Sequence, residues 1–334
     1  MTFTNSLIRL SGLLSLAASA QAAAYAVQDT FDQTNFFEGF DFFSGQDPTN
    51  GFVKYSSAIH ANNASLAGYA NNGIYLGVDY ESVNPAGGRA SVRVNSKASY
   101  TKGLFIADIA HQPAPACGQW PAFWTFGPNW PSSGEIDIIE GVNMDTNTTI
   151  TLHTSKGCSF SKDSFSSGDC NAPGSGTTGC GAPTGNLQTF GTGFNEIGGG
   201  IYALEWTSQA IKIFFFPRTG PIPTDIASDT PDPTTWGAPA AQFSGSGCNI
   251  DEHFMNHQIV FDTTFCGDWA GKVFNDDPVC KAKANTKSTG MAACQAYVAN
   301  NPADFKDSYW LINSVKVYSE GGALNKTTPK RFTS

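Results

Sequence analysis

The sequence has few charges, no excess of basic side chains and no long apolar run after its N-terminal segment. Charged residues make up 14% of the 334 residues, and 28 acids against 19 bases give a formal net charge of −9. Nucleic-acid binding calls for a basic face, so we expect no nucleic-acid partner. A membrane-spanning helix needs roughly 18 or more consecutive apolar residues, so we expect no membrane anchor. The acidic balance is compatible with a neutral ligand.

Cysteine is missing from residues 1–116, and no C-x-x-C pair occurs, which argues against zinc and dithiol redox chemistry. Residues 1–22 have the pattern of a secretory signal peptide, with Arg9 before an apolar run and an Ala-x-Ala cleavage site that ends at Ala22. We therefore expect a secreted, extracellular protein. An even number of cysteines in such a protein predicts up to four disulfides, whose pairing the sequence does not choose. The eight cysteines are Cys117, Cys158, Cys170, Cys180, Cys248, Cys266, Cys280 and Cys294.

Strand-like runs recur along the chain, and most are alternating or rich in β-branched and aromatic residues, with turn formers at their ends. They lie at 73–80, 89–96, 103–111, 135–141, 148–155, 200–208, 210–218, 257–265 and 309–319. The only convincing helical pattern covers 289–302. These patterns predict one all-β sandwich domain over 23–334, with a tight hairpin between the two runs that flank residue 209.

Two further expectations concern the parts of the chain between and before these strands. The stretches 156–195 and 217–255 are rich in Gly, Pro and Ser, so we expect long loops there rather than a second core. The segment FFEGFDFFSG, residues 36–45, is expected to pair with the last strand at 309–319. Asn63, Asn147 and Asn325 lie in N-x-S/T sequons that accept glycans in a eukaryotic secreted protein.

The stretch GEIDIIEGVN carries three acids inside an apolar, strand-like run: Glu135, Asp137 and Glu140. Side chains of a strand alternate between its two faces, so the first two acids share a face and strict alternation would send Glu140 into the core. A β-bulge between Asp137 and Glu140 inserts one residue and returns Glu140 to the acidic face. The isoleucines then fill the core behind the three acids.

Three neighbouring carboxylates repel one another, so at least one should hold a proton near neutral pH. That property suits general acid catalysis, and retaining glycoside hydrolysis uses two carboxyl groups roughly 5 to 5.5 Å apart. Glu135 and Glu140 fit these two roles, and Asp137 between them can tune both. The alternatives are a calcium site or a solvated acidic edge, and a stiff strand suits calcium poorly.

Aromatic side chains lie near the acids in turn-rich sequence. Trp120, Trp124 and Trp130 precede Glu135 by at most 15 residues, and His153 lies on the next predicted strand. Indole rings stack on the apolar faces of sugars, while polar groups fix the orientation of the sugar. We therefore take these three tryptophans and His153 as candidate substrate-binding residues.

At this point the chain resembles glycoside hydrolase family 16, in its laminarinase-like form with a bulged strand. GEIDIIEGVN matches the signature E-[ILV]-D-[IVAF]-x-E, and the similarity to fungal endo-1,3(4)-β-glucanases of the family extends to the stretches 36–55, 117–143, 151–158 and 265–271. The resemblance implies a concanavalin A-like β-jelly roll of two antiparallel sheets with a concave cleft for glucan. It also implies endo-hydrolysis that retains the anomeric configuration.

The resemblance also implies a role for each site residue. Glu135 matches the nucleophile of the family, Asp137 the assisting residue and Glu140 the general acid/base. His153 matches the histidine near these acids. Trp124, Trp130 and Trp269 look like tryptophans that line the sugar subsites.

We therefore expect a secreted endo-β-glucanase that acts on β-1,3 or mixed β-1,3/1,4 glucan. We expect no cofactor, no metal and a monomer. Two other functions stay open. One is a non-catalytic glucan-binding protein, although such binders often lose one of the acids. The other is a transglycosylase, which uses the same acids and passes the sugar to a hydroxyl instead of water.

Overall fold

The computed structural model describes residues 25–160, 168–172, 179–284 and 287–321. The predicted signal peptide and the sequon at Asn325 lie outside these ranges. Within them, none of the helices combines the length and the apolar character needed to cross a membrane.

Strands make up most of the regular secondary structure of the described chain. In chain order they are β1 (Tyr25–Asp32), β2 (Phe40–Phe42), β3 (Val53–Tyr55), β4 (Ala67–Ala70), β5 (Gly73–Leu76), β6 (Arg89–Ser91), β7 (Arg93–Ser96), β8 (Gly103–His111), β9 (Gln119–Phe126), β10 (Glu135–Glu140), β11 (Thr149–His153), β12 (Ser159–Phe160), β13 (Gly168–Asp169), β14 (Cys180–Pro183), β15 (Gly200–Trp206), β16 (Ala210–Pro217), β17 (Ala241–Ser244), β18 (Gln258–Phe265) and β19 (Trp310–Glu320). Eight of the nine predicted strands are thus confirmed, with ends that differ by a few residues. The run 89–96 is instead divided into β6, which pairs with β3, and β7, which belongs to a large sheet.

Helices are few and short. They are α1 (Phe36–Gly39), α2 (Ala58–Asn63), α3 (Gly191–Glu196), α4 (Ile250–His253), α5 (Pro278–Lys283) and α6 (Gly290–Asn300), with 3₁₀ turns at Pro233–Thr235 and Pro302–Phe305 and a π-helical turn at Gly267–Gly271. The predicted helix is α6. The other five contain too few residues for a helical period to be visible in the sequence.

The strands form two large antiparallel sheets that pack face to face. One has seven strands in the order β14-β11-β10-β9-β18-β7-β2, and the other has eight in the order β17-β16-β15-β8-β19-β5-β4, with β1 added beside β19. Residues 200–206 and 210–217 form the predicted hairpin of β15 and β16. The prediction of a sandwich is therefore confirmed.

The core lies between the sheets because alternate residues of both point inward. From the seven-stranded sheet it takes Ile136, Phe123 and Phe261, and from the eight-stranded sheet Phe105 and Leu204, all buried. The opposite face of the eight-stranded sheet is covered by the loop after β16, which buries its own apolar side chains there. That loop packs on the sandwich, as predicted. The two stretches predicted as long loops are not loops throughout, however, since each contributes an edge strand to a large sheet, β14 and β17.

Two other expectations about the strands were wrong. Residues 36–45 do not pair with the last strand: β2 pairs with β7, whereas β19 pairs with β1, β5 and β8. Most side chains of β1 are only partly buried, so this strand lacks a clear apolar alternation. The Trp-rich segment before the acids is not turn-rich throughout, since Gln119–Phe126 is the central strand β9, paired with both β10 and β18. The proline within this run is what disguised it.

A second buried cluster lies beside the end of β18 and contains α6 and the π-helical turn. Two disulfides, Cys117–Cys280 and Cys266–Cys294, run through it. Cys158–Cys248 and Cys170–Cys180 tie down the longer loops, so the prediction of four disulfides is confirmed. The second cluster also includes Val53 and Tyr55 of β3, which pairs with β6 in a small separate sheet. The two disulfides crosslink it to itself and to the segments that lead into β9 and out of β18.

Replacing both cysteines of Cys117–Cys280 by serine should lower the free energy of unfolding by about 2–5 kcal/mol, because this disulfide joins residues 163 positions apart and restricts the unfolded chain strongly. The matched control replaces Cys170 and Cys180, which are 10 positions apart, and should lower it less. Guanidinium unfolding followed by tryptophan fluorescence measures both. An equal or larger loss of unfolding free energy in the control pair would contradict the view that Cys117–Cys280 stabilises the fold by restricting the unfolded chain.

Candidate functional site

The three acids lie on β10, and the strand has the predicted bulge. Against β9, Asp137 pairs with Trp124, and the next pair is Ile139 with Phe123, so one residue of β10 has no partner of its own. The extra residue, Ile138, shifts the alternation and brings Glu140 to the face that holds Glu135 and Asp137. All three isoleucines of the stretch are buried in the core behind.

His153 lies opposite the first acid on the neighbouring strand, as predicted. β10 and β11 pair with Glu135 opposite His153. The Nε2 atom of His153 is 3.3 Å from Asp137 Oδ2 and 3.8 Å from Glu135 Oε1. The side chain of Glu135 keeps 17% of its surface exposed, against 3% for Asp137. The histidine therefore spans the two acids, and the first acid is the more accessible.

Burial raises the pKa of all three carboxyl groups. It raises the pKa of Glu135 to about 8, with a further contribution from the neighbouring Asp137. It also raises the pKa of Asp137 and of Glu140 well above their usual range. Three groups act in the opposite direction on Glu135, because His153, Trp130 and Arg93 each lower its pKa and so favour its anion.

Trp120 and Trp124 lie on β9 and face the acids. The indole Nε1 of Trp120 donates a hydrogen bond to Glu140 Oε1 at 2.8 Å. The indole of Trp124 donates instead to Asp262 Oδ1 at 3.1 Å. Both contacts follow from the strand register, because side chains of adjacent strands that share a face can reach each other.

The other two tryptophans come from turns. Trp130 is in the turn between β9 and β10 and is 45% exposed. Trp269 is in the π-helical turn, and its ring meets Trp120 edge to face with centroids 5.6 Å apart. The structure thus places all eight predicted site residues on or beside β9 and β10, and Trp269 reaches the site through its ring contact with Trp120.

A polar network beside the acids was not predicted from the sequence. Asp262 on β18 is buried, accepts from Trp124, and also accepts from the hydroxyl of Tyr55 at 2.7 Å. The guanidinium of Arg93 lies 4.9 Å from the ring centre of Trp124. Burial raises the pKa of Asp262 to about 6, while Arg93 opposes the rise. The criterion that singled out β10, an acid within an apolar strand, also applies to HQIVFDTTF and would have found Asp262.

His257 is a second group that the sequence analysis missed. It is fully buried, with Nδ1 2.8 Å from the hydroxyl of Thr125 and Nε2 2.7 Å from the carbonyl oxygen of Ser133. A carbonyl only accepts, so Nε2 carries the hydrogen and donates. Burial lowers the pKa of this histidine to about 4. The neutral ring therefore holds the turn that carries Trp130 and leads into Glu135.

Glu135, Asp137 and His153 each offer one ligand atom, and these atoms lie within 4.8 Å of one another. Such a group is compatible in spacing with a cation. Two carboxyl groups and an imidazole this close together also suit proton transfer, the chemistry that the sequence predicts for the acids.

A sequence model of the XgeA-like catalytic domain of glycoside hydrolase family 16 matches residues 40–318. An endo-1,3(4)-β-glucanase of Arthroderma benhamiae is 42% identical over 96% of this chain and 70% of its own length. The endo-1,3(4)-β-glucanase xgeA of Emericella nidulans is 43% identical over 96% of this chain and 52% of its own length. The chain thus spans about half the length of most of the curated relatives it matches.

Solved structures show the same architecture. An elongating family 16 β-1,3-glucosyltransferase is 42% identical, with a TM-score of 0.82 over 88% of this chain and all of that one. Laminarinase 16A of Phanerochaete chrysosporium, with 6-O-glucosyl-laminaritriose in donor and acceptor sites, is 35% identical with a TM-score of 0.81 over 89% of this chain. The predicted jelly roll is confirmed.

Glu135→Gln should stabilise the fold at neutral pH by about 1–3 kcal/mol. In the parent, unfolding releases the proton of Glu135 and is favoured for that reason, whereas the amide has no such proton to release. The folded pKa of Glu135 is raised from 4.5 to about 8. Its contribution to stability is therefore full below pH 4.5 and is lost as the pH rises towards 8. The advantage of the variant should vanish near pH 4.

Chemical unfolding at pH 4 and pH 7.5 measures this difference. The matched control is Glu205→Gln in the eight-stranded sheet, where Glu205 pairs with Lys212 at 2.8 Å, so its loss should destabilise the fold. A variant at position 135 that is less stable than the parent at pH 7.5 would contradict the assignment.

Proposed function

The chain belongs to glycoside hydrolase family 16, in its XgeA-like group, and from this premise we propose that it is an endo-1,3(4)-β-glucanase. It cleaves internal bonds of β-1,3 and mixed β-1,3/1,4 glucans and retains the anomeric configuration. The observation that carries the proposal is the bulged strand β10, which holds three carboxyl groups on one face beside His153. The names of the curated relatives support the substrate class.

The first half of the reaction uses Glu140 as acid and Glu135 as nucleophile. Glu140 donates its proton to the glycosidic oxygen as the bond from that oxygen to the anomeric carbon breaks. Glu135 reacts as its anion, the form that His153, Trp130 and Arg93 favour against the effect of burial. The carboxylate attacks the anomeric carbon from the other side and forms a covalent glycosyl-enzyme. Burial suits Glu140 to the acid role because a carboxyl with a raised pKa keeps its proton at neutral pH.

The second half resolves the covalent intermediate with water. Glu140, now an anion, removes a proton from the water, and the oxygen attacks the anomeric carbon as the bond to Glu135 breaks. Both carboxyl groups return to their starting states. Asp137 assists between them: its Oδ2 is buried, lies within ion-pair distance of His153, and has no aligned hydrogen-bond partner among the described residues.

The surroundings of the acids suit a neutral polymer of sugar rings. Trp124, Trp130 and Trp269 line the site as apolar surfaces for sugar faces, and Trp120 closes it beside Glu140. The reaction needs no cofactor or metal. We further propose a single catalytic domain over 23–334 that acts as an extracellular monomer, which the expected signal peptide and the four disulfides support.

A reducing-end assay on laminarin, lichenan, xyloglucan and carboxymethylcellulose tests the proposal. We expect release from laminarin and lichenan, and a loss of about 10³-fold or more in Glu135→Gln and in Glu140→Gln, because each variant removes an essential proton or nucleophile. Glu205→Gln is the matched control and should keep its activity. No release from any substrate, with laminarin still bound, would favour the glucan-binding protein.

Transglycosylation is the second candidate, and the similarity to an elongating β-1,3-glucosyltransferase favours it. The same covalent intermediate forms, and a sugar hydroxyl takes the place of water. Sizing the products over time separates the two reactions. Oligosaccharides longer than the substrate would mean that transfer, and not hydrolysis, is the main outcome.

A further inference from the structure

The side chain of Glu140 accepts a hydrogen bond from Trp120, which has no part in the proton transfer described above. Trp120 precedes Ala122, the β9 partner of Glu140, by two residues on the same face, which makes Trp120 and Glu140 diagonal neighbours. Aromatic side chains reach across such a diagonal. The indole Nε1–H of Trp120 accordingly donates to Glu140 Oε1 at 2.8 Å.

An indole N–H only donates, so the oxygen that it contacts has to accept. In a protonated carboxyl group the better acceptor is the oxygen without the hydrogen. We propose that Trp120 is a positioning residue that keeps the proton of Glu140 on Oε2 and so presents this proton to the glycosidic oxygen. The inference deepens the proposed function and rests on it.

Trp120 is itself fixed from the side of the second cluster. The ring of Trp269 packs edge to face against it, and Gly267 in the same turn approaches it closely. Gly267 has a φ of +63°, and a Cβ there would lie 3.4 Å from the Trp120 ring and 2.8 Å from the carbonyl oxygen of Thr49. The disulfide Cys266–Cys294 anchors this turn. The indole therefore has little room to leave Glu140.

The backbone of Glu140 is held on the opposite side by Thr148, which is fully buried. The Glu140 N–H donates to Thr148 Oγ1 at 2.8 Å, and this hydroxyl lies 3.2 Å from the Glu140 carbonyl oxygen as a donor. Main chain and side chain of the acid are thus fixed independently. Among the described residues, the hydrogen bond from Trp120 distinguishes the two oxygens of this side chain.

The charges around Glu140 determine how the contact acts on its proton. Asp137 and Glu135 on its own strand raise its pKa, whereas His153 on β11 lowers it. On the turn that packs against Trp120, Asp268 is paired with Lys272 at 3.0 Å. A donated N–H favours the anion, so loss of the Trp120 contact raises the pKa of Glu140 further.

The test is Trp120→Phe, which removes the N–H and keeps an aromatic ring. For laminarin, kcat/KM should fall about tenfold or more, and the basic limb of its pH profile should move upward by about 0.5–1 pH unit. For 2,4-dinitrophenyl β-laminaribioside, whose leaving group needs no proton, kcat/KM should fall less than about threefold. The matched control is Trp124→Phe, which removes an indole N–H bonded to Asp262 and should leave the basic limb in place.

Equal losses of kcat/KM on both substrates with an unmoved basic limb would overturn the proposal and make Trp120 a subsite or packing residue.

If Trp120→Phe does not unfold cooperatively, a fluorescence titration of the parent protein tests the proposal instead. Its tryptophan emission should change as Glu140 titrates, and Glu140→Gln should lack this change. Absence of the change in the parent would also overturn the proposal. This titration needs no substrate, so it separates failure of the inference from an inactive parent, which would contradict the proposed function.

Discussion

Three carboxyl groups on one face of a single strand, two of them buried and one partly buried, are the constraint on which the rest of the site depends. Burial of that many acids is unfavourable unless they hold protons or find partners. The structure uses both means: the pKa of each group is raised, Trp120 donates to Glu140, and His153 lies within ion-pair distance of Asp137. The extra residue at Ile138 makes this possible, because it turns Glu140 away from the core without leaving a gap in it.

The two sides of the site are supported differently. Glu135 depends on the seven-stranded sheet itself, through the turn that His257 holds and the histidine that β11 places opposite. Glu140 depends on the second cluster, because Trp120 is packed against the π-helical turn that a disulfide anchors. The disulfide Cys266–Cys294, which looks like a simple crosslink in the sequence, therefore fixes the surroundings of Glu140 and not those of Glu135.

Much of the fold was predictable because amphipathic strands carry their own alternation. The paired strands β15 and β16, the acidic strand and the helix α6 were all visible in this way. β1 was missed because its residues are only partly buried, and β9 because a proline interrupts its pattern. The pairing of the cysteines and the partner of β19 depend on contacts between distant residues, which no local pattern reports.

The sequence by itself determined the chemistry of this protein: which acids share a face, that a bulge is needed to bring Glu140 there, and that aromatic side chains accompany them. These are local facts, set by alternation and spacing along a strand. Only the tertiary structure decided which tryptophan contacts which carboxyl group. Trp120 and Trp124 have the same donor on the same strand, but the register of β9 between β10 and β18 directs one to Glu140 and the other to Asp262. Register is a property of paired strands, and it exists only once the sheet has formed.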